Sequence, residues 1–138
     1  MMHRSQLTEE HVQRVIDYGE LPDEVLKERS NVAVILTQGW CPQWKAMDVW
    51  LTAAQNNAEP QEYELSVRCF VYDKSPLFKQ FRRFKEKTWG NHHVPYVRYY
   101  KDGKLVDETN YVPAREFFSR FASPEHTASA APDPIMEV

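Results

Sequence analysis

The run Val32-Ala33-Val34-Ile35-Leu36 is apolar at every position, and Gly39-Trp40-Cys41-Pro42 follows it closely. An unbroken apolar run rich in β-branched residues predicts a strand buried on both faces. Such a strand needs a layer of helices on each side, which points to an α/β architecture. Pro42 suits the first turn of a helix, because its missing N–H would have no partner there. Cys41 therefore stands where a strand ends and a helix begins. At that junction the first unsatisfied N–H groups of the helix point at its sulfur. This geometry stabilises a thiolate, the reactive form of cysteine, and makes Cys41 a candidate nucleophile. A dithiol site would place a second cysteine three residues on, where this chain has Trp44.

The rest of the chain reads as alternating helices and strands. Leu7 to Tyr18 has Val12, Val15 and Ile16 at helical spacing, with Thr8 as its cap. A short helix is expected from Asp23 to Glu28. Pro42 to about Asn56 is helical, and Ala46, Trp50 and Ala53 mark one stripe. Asn56 to Pro60 is a break. Leu65 to Tyr72 has strand composition. Ser75-Pro76 is expected to open a helix whose apolar face is Leu77, Phe78, Phe81 and Phe84. Tyr96–Tyr100 and Lys104–Asp107 flank Asp102-Gly103, a strong hairpin signal. Pro113 to Phe121 closes the folded part, and the Ser-, Ala- and Pro-rich residues 123–138 read as a disordered tail.

Composition narrows the function classes. The net charge of −3 gives no electrostatic case for nucleic acid or an anionic membrane. No apolar run approaches a membrane span, and the polar first twenty residues do not read as a signal peptide. Cys41 and Cys69 are the two cysteines, too few for a disulfide-stapled secreted domain. The expected setting is a reducing compartment, most simply the cytoplasm.

Trp40-Cys41-x-x-x-Lys45 resembles the active-site segment of thioredoxins, Trp-Cys-Gly-Pro-Cys-Lys, and Pro42 directly after the cysteine is more like the Cys-Pro-x-Cys of glutaredoxins. Val94-Pro95 through Val106 is similar to the thioredoxin segment holding a cis-proline, a strand, a tight turn and a second strand. Cys69-Phe70-Val71-Tyr72-Asp73 is similar to the intervening strand that ends in an acid. The resemblance spans roughly residues 6 to 122. It implies a thioredoxin-like domain over 1–122, with a central mixed sheet flanked by helices on both faces. It also implies Cys41 as the catalytic thiol, with Trp40, Pro42, Trp44, Val94 and Pro95 as the substrate-binding set. A cis Pro95 would lie beside Cys41, and its loop backbone would pair with an incoming peptide. The family's buried Asp and its Lys correspond to Ile35 and Cys69 here, so the resolving thiol and both of its helpers are replaced together.

The resulting expectation is single-cysteine thiol–disulfide exchange on protein or peptide substrates. No resident cofactor or metal is expected, and an external thiol such as glutathione would clear the adduct. Trp40, Trp44 and Tyr96 would form an apolar contact surface. The competing class is a redox-inactive module that binds a peptide or partner protein through the Cys41/Pro95 cleft. A third reading has Cys41, His92 and His93 holding zinc or copper, without a ligand-spacing signature to support it. Surface loop histidines are the commoner explanation. Cys69 reads as a buried structural cysteine, with no bridge to Cys41. Lys79, Arg82, Arg83, Lys85 and Lys87 read as the solvated basic side of an amphipathic helix, with an acidic partner or the carboxylates of glutathione as the other use.

Overall fold

The computed structural model describes residues 2–56 and 64–121. The break through Pro60, the tail from 123 and the domain boundary at 122 lie outside the described residues. In chain order the elements are β1 (Met2–Gln6), α1 (Glu9–Tyr18), α2 (Asp23–Leu26), β2 (Asn31–Thr37), α3 (Pro42–Gln55), β3 (Leu65–Val71), α4 (Phe78–Lys87), β4 (Tyr96–Lys101), β5 (Lys104–Thr109) and α5 (Ala114–Ser119). The strands form one sheet in the order β1-β3-β2-β4-β5. β1 and β2 run parallel to β3, while β4 is antiparallel to β2 and to β5.

Side-chain alternation divides the interior into two cores. Ala33 and Ile35 of β2, Leu65, Val67 and Cys69 of β3, and Val97 and Tyr99 of β4 face α3 and α5. Val32, Val34, Leu36, Phe70, Tyr96 and Tyr100 face α1, α2 and α4. All of β2 is buried, as its unbroken apolar run predicts for a strand covered on both sides. Phe117 of α5 is the hub of the first core. Its ring lies 5.3 Å from Trp50, 5.7 Å from Tyr99 and 5.8 Å from Phe121.

Local chemistry sets the ends of the elements. The Thr8 hydroxyl accepts from the His11 amide at 3.1 Å, and His11 Nδ1 accepts from the Thr8 amide, a reciprocal cap that starts α1 at Glu9 rather than Leu7. Gly19 closes it in the left-handed region. Asp102 and Gly103 both have positive φ, the geometry of a tight hairpin turn between β4 and β5.

One strand is added and three expectations are corrected. Residues 2–6 form a strand although Met2 is their sole buried residue, because the backbone pairs with β3 at the sheet edge. The buried stripe of α3 is Trp44, Met47 and Leu51, whereas Ala46 and Ala53 face outward and Trp50 is half-buried. α4 begins at Phe78, since the Ser75 hydroxyl accepts from the Leu77 amide in a turn that precedes the helix. Lys85 is buried at 1% exposure and leaves the solvated basic face to Lys79, Arg82, Arg83 and Lys87.

Candidate functional site

β2 delivers the chain to the end of the sheet, and a short turn then sets Cys41 at the start of α3. The Cys41 amide donates to Gln38 O at 3.2 Å, and the Lys45 amide donates to Cys41 O at 3.1 Å. Cys41 thus stands at the N-terminal boundary position of α3, with no side-chain bond to the helix amides, and Pro42 lies in its first turn. Asp73, just beyond β3, accepts from the Gly39 amide at 2.8 Å and ties the turn to the neighbouring strand end. Gln38 links the Trp40 indole N–H at 2.6 Å to the Tyr72 hydroxyl at 3.2 Å.

Across from this turn lies the loop that enters β4. Its Val94–Pro95 peptide is cis. Cys41 Sγ stands 3.7 Å from Val94 O, within reach of a weak S–H donation. The structure therefore brings Cys41, Val94 and Pro95 together. Trp40 stands 61% exposed beside them, and Pro42 is also exposed.

Trp44 and Tyr96 do not join that surface. Trp44 is buried under α3, with the Arg4 guanidinium 5.8 Å from its ring centroid. Tyr96 is buried on the opposite face of the sheet, where its hydroxyl binds Glu108 and burial together with that bond pushes its pKa up to about 12. The expected contact surface of Trp40, Trp44 and Tyr96 thus reduces to Trp40. Trp44, three residues after Cys41, is packed indole in the core under α3.

Cys69 sits opposite Ile35 in the β2–β3 register, in the same core as Cys41. Both cysteines are free, and each is 4% exposed. Burial pushes the Cys69 thiol up, and the nearby Arg4 opposes this in part. Cys69 also lines a cleft of about 510 Å³ between β1 and α3, together with Arg4, Trp44 and Asp48. Over that cleft Arg4 is held by Asp48 and by Thr52 Oγ1. β1 carries no apolar alternation, so nothing in the sequence marks Arg4 as part of this cleft.

His92 and His93 are exposed, and His92 Nδ1 lies 3.8 Å from Glu86. Among the described residues no group of three or more His, Cys, Asp or Glu side chains is arranged to hold a metal ion. What the loop does engage is Lys85, whose ammonium donates to Asn91 O, Asn91 Oδ1 and His93 O at 2.9, 3.1 and 2.8 Å. Burial pulls its pKa down to about 8, with Glu86 opposing. Its position in a run of basic residues hid this role in the sequence.

Solved structures share the fold. Desulfothioredoxin from Desulfovibrio vulgaris Hildenborough superposes with a TM-score of 0.53 at 19% identity, covering 94% of this chain and 99% of that one. The thioredoxin of Malassezia sympodialis gives 0.55 at 10% identity, over 91% and 90% of the two chains. Plasmodium falciparum thioredoxin gives 0.51 at 16% identity, over 72% and 90%. The chain has the thioredoxin fold. No protein-family model matches the sequence, and no curated protein matches it as a relative. Among the described residues no helix is long and apolar enough to cross a membrane.

Proposed function

We propose that this chain is a single-thiol exchange protein acting on peptide or protein disulfides, with Cys41 as its nucleophile. The supporting observation is the pairing of Cys41, at the start of α3, with Val94 O at 3.7 Å in the cis-proline loop. In the reaction the Cys41 thiolate attacks one sulfur of a disulfide. A new S–S bond forms as the old one breaks, and the departing sulfur leaves as a thiolate that takes a proton from water. With Trp44 at the resolving position, an external thiol such as glutathione attacks the adduct. That thiol leaves as a disulfide with the adduct's sulfur and returns Cys41 to its thiolate. The external thiol ties this chemistry to a reducing compartment such as the cytoplasm. Val94 and Pro95 supply the backbone edge for the substrate, and Trp40 with Pro42 the exposed contact.

The test mixes reduced protein with a peptide carried as its glutathione mixed disulfide, followed by intact-mass and peptide-mapping mass spectrometry. The expected result is one adduct at Cys41, lost in Cys41→Ser, kept in Cys69→Ser, and turned over with added glutathione. Recovery of an internally linked Cys41–Cys69 form, or of no adduct, overturns the proposal.

A second reading rests on burial. Cys41 is no more exposed than Cys69, while the neighbouring Trp40 is 61% exposed. That is the arrangement of a binding surface in which the sulfur serves as a packing atom. Adduct-free binding of a reduced peptide, equally strong in Cys41→Ser, would favour it.

A further inference from the structure

The loop before Pro95 is held by two side chains that the exchange chemistry does not use. Lys85 rises from α4 beneath the loop, where it makes no ion pair among the described residues. Its three acceptors are all neutral oxygens of Asn91 and His93. A buried ammonium without a carboxylate partner is costly, so its placement needs a reason. From the other side, past the end of β5, the Asn110 amide donates to Asn91 Oδ1, His93 O and Pro95 O at 3.2, 3.2 and 3.0 Å. Asn91 returns a bond to Asn110 Oδ1 at 3.1 Å.

The carbonyls on both sides of Val94 are thus drawn to this clamp. His93 O is held by Lys85 and Asn110, and Pro95 O by Asn110. The Val94 carbonyl between them is the one left facing Cys41. An interruption on either side would free Val94 to rotate away from the sulfur.

We propose that Lys85 and Asn110 are positioning residues that fix the Val94 backbone edge beside Cys41, and so set how well the protein holds an extended peptide disulfide. The inference rests on the exchange reading above. It adds that substrate grip is governed from α4 and from the end of β5, by groups that never touch the sulfur.

The experiment compares wild type, Lys85→Met, Asn110→Ala and the double variant. The probes are the peptide–glutathione mixed disulfide and the small disulfide bis(2-hydroxyethyl) disulfide, each assayed with glutathione. Losing the clamp should raise KM for the peptide about tenfold, the equivalent of one good hydrogen bond. The kcat for the peptide and kcat/KM for the small disulfide should stay within about twofold, because the small probe needs no extended backbone edge. The double variant should be no worse than the poorer single, since both side chains hold the same His93 carbonyl. Equal losses on both probes, or an unchanged peptide KM, overturn the inference. Should Lys85→Met fail to fold, Asn110→Ala carries the same comparison. Amide hydrogen exchange separates this inference from the exchange reading. If wild type forms no adduct yet residues 91–97 exchange faster in the variants, the thiol reading fails and the clamp stands. If protection there is unchanged, the clamp is refuted whatever the thiol does.

Discussion

Lys85 should give this protein an unusual stability profile above neutral pH. Burial lowers its folded-state pKa to about 8, from an ordinary value of 10.5. Between those values the unfolded chain binds the proton more tightly than the folded one, so stability rises with pH across the window. The cost of keeping the buried ammonium charged is fully present below pH 8 and is relieved progressively toward pH 10.5. Integrated from pH 7 to pH 9.5, the gain is about 2 kcal/mol. The three oxygen acceptors favour the charged form and pull the other way, so this is the upper end. Glu86 and Tyr96 are the titratable groups facing the amine from its own helix and from β4.

Other groups titrate in the opposite sense and must be cancelled. Cys69, Tyr72, Tyr96, Tyr99 and Tyr100 all have raised pKa values in the fold. Each is an acid that ionises first in the unfolded chain, so each erodes stability as pH climbs through its unfolded value. The useful quantity is therefore the difference between wild type and Lys85→Met, measured by urea denaturation at constant ionic strength from pH 7 to 9.5. Wild type should gain about 1 to 2 kcal/mol on the variant across that range. A difference that stays flat would mean that Lys85 keeps an ordinary lysine pKa, and would refute the account of its burial.

Two further outcomes follow from the cores. Arg98 is buried against the Trp89 ring at 4.1 Å, pairs with Glu20 at 2.9 Å and donates to the Tyr96 and Tyr100 hydroxyls, so Glu20→Gln should cost about 2 kcal/mol in urea melts, discounted because Glu20 is half-exposed; no loss would show that the two tyrosines suffice for the guanidinium. Phe117→Ala removes the hub ring under α5 and should cost about 3 to 5 kcal/mol; a cost below 1 kcal/mol would mean that α5 repacks without it.

What the sequence made legible is what periodicity and local chemistry carry. The β2 run, the Cys41-Pro42 junction and the Asp102-Gly103 turn each combine a local signal with a backbone demand, and each appears where the sequence places it. β1 has no sequence signature because an edge strand needs partners for its backbone rather than an apolar face. The sequence pattern does not single out the α3 stripe because both sides of that helix are apolar: Ala46 and Val49 look outward as Trp44, Met47 and Leu51 look inward. Lys85 sat in a run of basic residues in which nothing local marks the one that turns inward.

The two faces of the sheet divide the work of the site. Cys41 belongs with Ile35, Cys69 and Trp44 in the core under α3, and the single-thiol proposal rests on these packed side chains standing where the resemblance would put a resolving thiol and its helpers. On the other face, α4 sends Lys85 under the loop carrying Val94 and Pro95, and Arg98 stacks on Trp89 where that loop becomes β4. Lys85 thus directs its buried charge to the backbone and side-chain oxygens of the loop that faces the cysteine, with the Tyr96 ring beside it. The proposed peptide edge at Val94 is the same whether or not the sulfur reacts. The exchange reading and the binding reading therefore share the clamp and part only at Cys41, which makes the adduct at that sulfur the measurement that separates them.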